Sequence, residues 1–282
     1  VRVSSEPNVW DCLFASTSWE GLFCDSDGYG GRFNDRQNNP VTVIGADSSH
    51  VTDMGSMFMD CTGLVAVNLF DTGSVTDMGE MFYDCNQLAA LDLRSFDTRN
   101  VIDMHMMFVN CNSLETINLS SFNTENVRWM YMMFQFCAKL RELDLSGFNT
   151  FNVEQMQGMF EGCYSLEYLN LSSFCFDISP WCSNFLSRCQ RLMYLDLGTN
   201  DMSNDNLDGF CQRFALSIPY CYIRCSETSK NALKQSSTQL DSDKVIWIGA
   251  YETMPTYTSY KDPGVYYSTD YSMDKAVTTV QQ

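Results

Sequence analysis

Histidine, basic side chains and long apolar runs are all scarce in this sequence, and each scarcity argues against a class of protein. Only two of the 282 residues are histidines, His50 and His105, and their spacing supplies no partners for a histidine-based triad or a zinc site. The 17 Lys and Arg face 35 Asp and Glu, a formal net charge of −18. That balance argues against nucleic acid or an anionic membrane as partner, because both attract basic surfaces. No apolar run reaches the roughly 18 to 20 residues that cross a bilayer, so we expect no membrane insertion.

Signatures of nucleotide binding and of secretion are missing as well. No P-loop or G-x-G-x-x-G fingerprint lies between a strand and a helix, so we expect no cofactor and no metal. Val1 is not followed by the basic and apolar regions of a signal peptide. We therefore expect that any secretion signal has been removed or is not part of this sequence.

An internal repeat dominates the middle of the chain. Six cysteines recur at intervals of 24, 26, 26, 26 and 26 residues, and a leucine follows each of them three positions later. A Met-Phe pair precedes the first five, and each unit continues into an aliphatic-Asn/Asp-Leu triplet. This cysteine ladder consists of Cys61, Cys85, Cys111, Cys137, Cys163 and Cys189. Such a period is typical of solenoids, in which units too small to bury their own apolar face stack in line.

The spacing inside one repeat predicts a helix and a short strand. Between Val127 and Cys137 the apolar residues follow steps of three and four, the pattern of a helix with one buried face. Asn126, or alternatively Thr124, is a candidate N-cap for that helix. From Leu143 to Leu145 apolar and polar residues alternate, as in a strand with one buried face. We expect the methionines and phenylalanines to fill the core, which is strongly favoured over copper or haem ligation by the methionines.

The recurring string LxxLDLSxFxTxNVxxMxxMFxxCxxL, read from Leu140 to Leu166, resembles the BspA-like leucine-rich-repeat family of bacterial and some protist surface proteins. The resemblance covers roughly residues 51–197. It implies an α/β leucine-rich-repeat solenoid, a horseshoe with a parallel sheet on the concave face and short helices on the convex face. It also implies a secreted or cell-surface location and adhesion to host or neighbouring-cell proteins, with matrix and plasma proteins as partners proposed for relatives.

Four regions follow from the position of the repeats. Residues 1–50 are interpreted as an N-terminal cap, 51–200 as an array of about six repeats and 201–226 as a C-terminal cap, because solenoid ends expose apolar core unless covered. Residues 227–282 form a tail rich in Ser, Thr and Tyr, in which the stretch KVIWIGAY (244–251) predicts one strand.

The thirteen cysteines divide into the ladder and seven others. Helices of successive repeats would stack roughly 8 to 10 Å apart, beyond the roughly 4.4 to 6.8 Å between the Cα atoms of a disulfide. We therefore expect ladder thiols such as Cys111 and Cys137 to be free. Outside the ladder lie Cys12, Cys24, Cys175, Cys182, Cys211, Cys221 and Cys225. Their placement suits disulfides in an oxidising compartment; an all-thiol protein is the alternative, and an odd count leaves at least one without a partner in this sequence.

The polar residue of each strand triplet forms a second ladder on the outer face of the sheet. This polar ladder consists of Asn68, Asp92, Asn118, Asp144, Asn170 and Asp196. With strands about 4.8 Å apart it spans about 24 Å, and alternation of Asn with Asp keeps carboxylates about 10 Å apart. A glycosidase needs about 5.5 Å or about 6.5 to 9.5 Å between its carboxylates, inside a cleft. An open sheet therefore predicts binding and not catalysis.

The prediction for function is a non-enzymatic recognition protein, adhesin-like and secreted or displayed at the cell surface. Tyr168 and Tyr194 are the predicted anchors, and Asp144, Asn170 and Asp196 supply polar specificity. The expected partner is a host or matrix protein with a basic surface; a glycan is a further possibility. The sheet measures about 400 Å², half of a standard interface per side, so caps, loops or the tail would have to contribute. The alternatives are a structural spacer that displays another module and a glycan-binding or glycan-processing protein.

Overall fold

The computed structural model describes residues 2–3, 9–11, 17–18, 20–22, 41–44, 48–68, 71–176, 181–199, 201–202, 220–236, 240 and 243–257. These residues form a parallel β-solenoid with few helices, in which each repeat contributes one short strand and one run of turns. The elements are β1 Arg2–Val3, β2 Val9–Asp11, β3 Val41–Ile44, β4 Leu64–Asn68, β5 Ala90–Asp92, β6 Thr116–Asn118, β7 Glu142–Asp144, β8 Tyr168–Asn170, β9 Tyr194–Asp196, β10 Cys221–Cys225, α1 Glu227–Ser236 and β11 Val245–Gly249.

The strands pair in chain order, as expected when each repeat stacks on the one before. The three sheets run β1–β2–β3–β4, β5–β6 and β7–β8–β9–β10–β11, and every described strand pair except β1–β2 is parallel. Equivalent repeat positions lie opposite one another, so that Leu143 faces Leu169 and Leu169 faces Leu195. Strand pairing extends beyond the repeats on both sides, through β2 and β3 and through β10 and β11. Among the described residues, no helix is long and apolar enough to cross a membrane.

The prediction of a helix in each repeat is wrong. Within the repeats the residues between the strands form turns, and α1, after the repeats, is the one helix in the described part of the chain. Alternate residues donate their backbone N–H to the next repeat, and residues between them donate to the carbonyl three positions back. In one copy the inter-repeat bonds join Met130 to Gln155, Met132 to Gln157, Phe134 to Met159 and Phe136 to Glu161, at 2.8 to 3.0 Å. These bonds satisfy donors that a helix would have satisfied internally.

Two left-handed residues in each repeat make this path possible. Met132 and Phe136 have φ of 56° and 60°, outside the region that a helix requires. The three-residue turns between them reproduce the apolar spacing of a helix, which is why the sequence pattern was misleading. Asn126 is not a helix cap either: its Nδ2 donates to the carbonyl of Arg99 in the preceding repeat, at 2.8 Å.

The expected Met and Phe core is confirmed. The phenylalanines form two buried columns, each ring lying against its equivalent in the next repeat. The first column is Phe58, Phe82, Phe108, Phe134 and Phe160, with ring centroids 5.4 to 5.7 Å apart. The second is Phe96, Phe122, Phe148 and Phe174, at 6.2 to 6.5 Å. Stacking identical rings at each repeat lets one side-chain shape fill the whole core.

The cysteine ladder is buried, and its thiols act as hydrogen-bond donors. Sγ of Cys111 donates to the carbonyl of Phe82 and Sγ of Cys137 to that of Phe108, both at 3.2 Å. Burial raises the pKa of Cys163 to about 12, which keeps the thiol protonated and able to donate. The expectation that ladder residues such as Cys111 and Cys137 carry free thiols agrees with the structure.

The disulfides expected outside the ladder are not found within the described residues. No disulfide joins the cysteines that the structure describes, including Cys175, Cys221 and Cys225. Cys12, Cys24 and Cys211 lie outside the described residues.

A column of buried threonines links the repeats on another side of the core. Thr98 Oγ1 donates to the carbonyl of Asn123 at 2.9 Å and accepts from the N–H of the same residue at 2.8 Å. Thr124 makes the same pair of bonds with Asn149, at 2.9 and 2.8 Å. Each hydroxyl therefore satisfies both backbone groups of one residue in the next repeat.

Candidate functional site: the outer face of the sheet

Each three-residue strand of the repeats presents its first and third residues outward and its middle residue inward. In β5 and β7 the two outer positions are exposed and the leucine between them is buried. The first outer column is Ala90, Thr116, Glu142, Tyr168 and Tyr194, and the third-position column is the polar ladder. The structure brings all five predicted site residues together: Tyr168 lies opposite Tyr194, and Asp144, Asn170 and Asp196 lie side by side.

Two of the five predicted site residues are not exposed to solvent, although the sequence placed them on the open face of a sheet. Asp144 is exposed, and Tyr168 and Asn170 are half-buried. Tyr194 and Asp196, however, are only 1% and 6% exposed. The later part of the face is therefore covered by other parts of the chain.

Strand β10 covers one side of this region. Tyr222 stacks on Tyr194 with ring centroids 5.2 Å apart. Arg224 makes a two-pronged ion pair with Asp196, from Nε to Oδ1 at 2.8 Å and from Nη2 to Oδ2. The carboxylate that the sequence suggested for partner recognition is thus already neutralised within the chain.

Residues 250–257, which we call the return segment, cover the other side. The Tyr257 ring lies 5.0 Å from that of Tyr168 and 5.2 Å, edge-on, from that of Tyr194. Its hydroxyl lies 3.3 Å from Oε1 of Glu142 and 3.3 Å from Oε2 of Glu167. We call Tyr168, Tyr194, Tyr222 and Tyr257 the tyrosine cluster. Burial raises the pKa of Tyr168 and of Tyr222, so these phenols are neutral at physiological pH.

One acceptor near the Tyr257 hydroxyl, the carboxylate of Glu167, is buried and held in place by other side chains. Glu167 has a fully buried side chain, and its Oε1 accepts from Arg141 at 2.9 Å and from Arg191 at 3.0 Å. Two guanidinium groups offset the cost of burying this charge and hold its second oxygen toward Tyr257. Arg141 and Glu167 occupy the same position of successive repeats, so this pair could have been read from the sequence.

The polar ladder closes the turn after each strand. Oδ1 of Asp144 accepts from the N–H of Ser146 at 2.9 Å, and Oδ1 of Asn170 accepts from that of Ser172 at 3.0 Å. Because Asn and Asp bond the backbone two residues on in this way more strongly than Ser or Thr, their recurrence has a structural cause. A partner can form hydrogen bonds only with those polar atoms of the ladder that these turns do not use.

Two grooves follow the face. The larger, about 460 Å³, lies between strands β7–β9 and the return segment. Its lining is Glu142, Asp144, Tyr168, Tyr194, Asp196, Met254, Pro255 and Tyr257. The second, about 360 Å³, lies over β5 and β6 and is lined by Val67 and residues 90–92 and 116–118. The first groove combines aromatic walls with carboxylate acceptors, a chemistry suited to stacking and hydrogen bonding of a ring that carries a hydroxyl.

His105 belongs to a separate charged cluster. Its Nδ1 lies 2.7 Å from Oδ1 of Asp103 and its Nε2 3.3 Å from Oε1 of Glu80, while its ring stacks on Tyr131 at 4.9 Å. The hydrogen bond with Asp103, followed by that with Glu80, raises the pKa of His105 to about 10. The imidazolium therefore acts as an ion-pair link between two repeats. No group of three or more His, Cys, Asp or Glu suited to a metal ion occurs in the described ranges.

Sequence reasoning missed Tyr257, Arg224 and Glu167. Tyr257 and Arg224 lie outside the repeats, so no periodicity related them to the face.

Comparison with known proteins places the repeats in a family. A family model described as "Mycoplasma protein of unknown function, DUF285" matches residues 32–117 and again 88–181. Together the two matches cover residues 32–181, more than half of the 282 residues, and include strands β3 to β8. No curated protein matches the chain. With its repeats matched over this length, the chain belongs to the DUF285 family.

Proposed function

We propose that this chain is a non-enzymatic recognition protein of the BspA-like type, secreted or displayed at the cell surface. In this proposal it binds a host or neighbouring-cell protein through the outer face of its sheet. The observation that carries the proposal is the outer face of the sheet, where aromatic rings and carboxylates line a groove over β7–β9. Membership of a family of repeat proteins supports a surface role.

The distribution of charge on the face limits the region to which a basic partner would bind. Asp92 is paired with Arg94 and Asp196 with Arg224, so neither adds much net charge. The carboxylates of Glu142 and Asp144, both exposed on β7, remain as the attractive centre. The partner would therefore contact β5 to β7 and the edge of Tyr168, the part of the face that the return segment leaves accessible.

The proposal can be tested with lysines placed on the face. The variant Ala90→Lys, Thr116→Lys adds two positive charges to exposed outer positions. The matched control Ile102→Lys, Asn112→Lys adds the same charge to exposed positions outside the strands. Immobilised chains would be incubated with plasma and matrix proteins, and captured proteins identified by mass spectrometry. We expect capture by the wild type and the control, and at least about tenfold less by the face variant, with association slowed more than dissociation is accelerated.

Other outcomes would favour the alternatives. Equal capture by all three chains would move the interface off the sheet face. Capture of nothing would support the spacer. Binding to a glycan array that the face variant abolishes would replace the protein partner with a carbohydrate.

A further inference from the structure

We infer that the tyrosine cluster contains a tyrosine-binding pocket, which the chain's own Tyr257 occupies, and that a partner protein docks there by an extended tyrosine-bearing segment that displaces Tyr257. This inference rests on the proposed function, since it names the chemistry that the sheet face recognises.

The contacts of Tyr257 use both the ring and the hydroxyl. Tyr168 and Tyr194 meet the ring at centroid distances of 5.0 and 5.2 Å, one tilted and one edge-on. The hydroxyl lies 3.3 Å from one oxygen each of Glu142 and Glu167. A phenylalanine would lack the hydroxyl and an aliphatic side chain would lack the ring, so the pocket distinguishes tyrosine from both.

The acceptor is held in place before any ligand arrives. Glu167 is fully buried and is bonded to Arg141 and Arg191 from repeats on either side. A fixed acceptor costs little to reorganise on binding. The carboxylates of Glu142 and Glu167 are acceptors for the phenol O–H, and a phosphotyrosine dianion has no O–H to donate, so the pocket is specific for the unmodified phenol.

The attachment of the return segment allows a tyrosine of the partner to replace Tyr257. Its backbone pairs with no strand in the described residues, and its first turn is closed by the bond from Glu252 N–H to Gly249 O at 2.9 Å. Tyr251 is 94% exposed. Displacing Tyr257 would leave strand β11, which ends at Gly249, in place. The partner would thus compete with the short return segment, in which Pro255 is also buried and the carbonyl of Glu252 accepts from Arg224 at 3.4 Å, and not with a strand.

The probe is a fluorescent peptide with the sequence of residues 252–259, ETMPTYTS, which carries one tyrosine. Its fluorescence anisotropy would be titrated with the intact wild-type chain, with Tyr257→Ala, and with the matched control Tyr251→Ala. A segment tethered by a few residues has an effective concentration on the order of millimolar. In the wild type Tyr257 competes with the peptide, so the apparent affinity for the peptide equals the intrinsic affinity multiplied by the fraction of pockets that Tyr257 leaves empty. We expect Tyr257→Ala to bind the peptide at least about tenfold more tightly than the wild type, and Tyr251→Ala to match the wild type.

Peptide variants test which side chain the pocket recognises. Replacing the peptide tyrosine by alanine or phosphotyrosine should abolish binding to Tyr257→Ala, and replacing it by phenylalanine should weaken binding several-fold. A second chain variant, Thr253→Gly, Thr256→Gly, loosens the return segment at two exposed positions that do not line the groove, and should also raise the affinity. Equal affinity of the peptide for wild type and Tyr257→Ala, or no binding to any folded variant, would overturn the inference.

The peptide experiment and the capture experiment can fail separately. If the peptide binds Tyr257→Ala but no protein is captured, the pocket stands and the proposed partner falls. If proteins are captured equally by wild type and Tyr257→Ala while the peptide binds neither, the sheet face binds partners by another route and this pocket is only structural.

Discussion

At the scale of single residues, Phe134 shows how repetition stabilises the core. It is fully buried between Phe108 and Phe160, at centroid distances of 5.4 and 5.7 Å. Phe134→Ala should lower the free energy of unfolding by about 3 to 5 kcal/mol, because neighbouring repeats cannot collapse into the space left by a ring. Urea denaturation followed by circular dichroism measures the loss.

The matched control for that experiment is Phe151→Ala. Phe151 is 60% exposed, so its truncation should change the free energy of unfolding by less than about 0.5 kcal/mol. A loss below about 1 kcal/mol for Phe134→Ala would show that the buried phenylalanine column does not exist.

His105 makes stability depend on pH. Its folded pKa of about 10 lies above the ordinary value of 6.5, since Asp103 and Glu80 bond the imidazolium, with Asp77 nearby. A raised folded pKa means that the stabilisation is fully present below pH 6.5 and is lost as the pH rises toward 10. Solvent at the partly exposed ring screens part of the interaction. The stability advantage of wild type over His105→Gln should therefore fall by about 2 kcal/mol from pH 6 to pH 9.5.

Urea midpoints of both proteins at the two pH values measure this difference. Groups that do not interact with His105 titrate alike in both chains, so their contributions cancel in the comparison. A constant gap between wild type and His105→Gln would show that His105 is not held as an imidazolium in the folded chain.

At the scale of the element, the buried threonines hold the turns of one repeat to the next. Thr124→Val keeps the shape of the side chain but leaves the N–H and the carbonyl of Asn149 without their bonds to the hydroxyl. We expect a loss of about 1 to 3 kcal/mol in the free energy of unfolding, the cost of a buried polar group that loses its partner. Thermal unfolding of Thr124→Ser, which retains the hydroxyl, provides the comparison. If Thr124→Ser loses stability while Thr124→Val keeps that of the wild type, the methyl group and not the hydroxyl is responsible.

At the scale of the whole molecule, the solenoid should tolerate removal of one complete period. Deleting residues 112–137 joins Cys111 to Ala138 and brings the strand of the next repeat into the same register. Because each repeat contacts only its neighbours, the shortened chain should fold with the same circular dichroism per residue and a lower melting temperature.

The control deletion removes 13 residues, 125–137, and so breaks the period. That chain should fail to show a cooperative transition, since strands would stack on turns. Similar behaviour of the two deletion variants would mean that the period of 26 residues does not define the structural unit.

Much of this architecture is determined by the sequence alone. The period, the buried phase of Phe134 and Cys137, and the adjacency of Tyr168 and Tyr194 could all be predicted, because a repeat of constant length forces equivalent residues into line. One pair of residues in the sequence also argues against helices in the repeats. Gly158 and Gly162 stand at the two left-handed positions of their repeat, with φ of 62° and 75°, and two glycines four apart are unfavourable in a helix.

Only the tertiary structure decided how the turns are bonded and which part of the sheet face is covered. The backbone of Met130 and Phe134 bonds the next repeat, and a spacing of three and four residues cannot distinguish such bonds from those inside a helix. Tyr194 is buried because Tyr222 and Tyr257, which belong to no repeat, fold back over it. Periodicity predicts contacts only between residues that share it, whereas contacts from outside the repeats depend on the three-dimensional path of the chain.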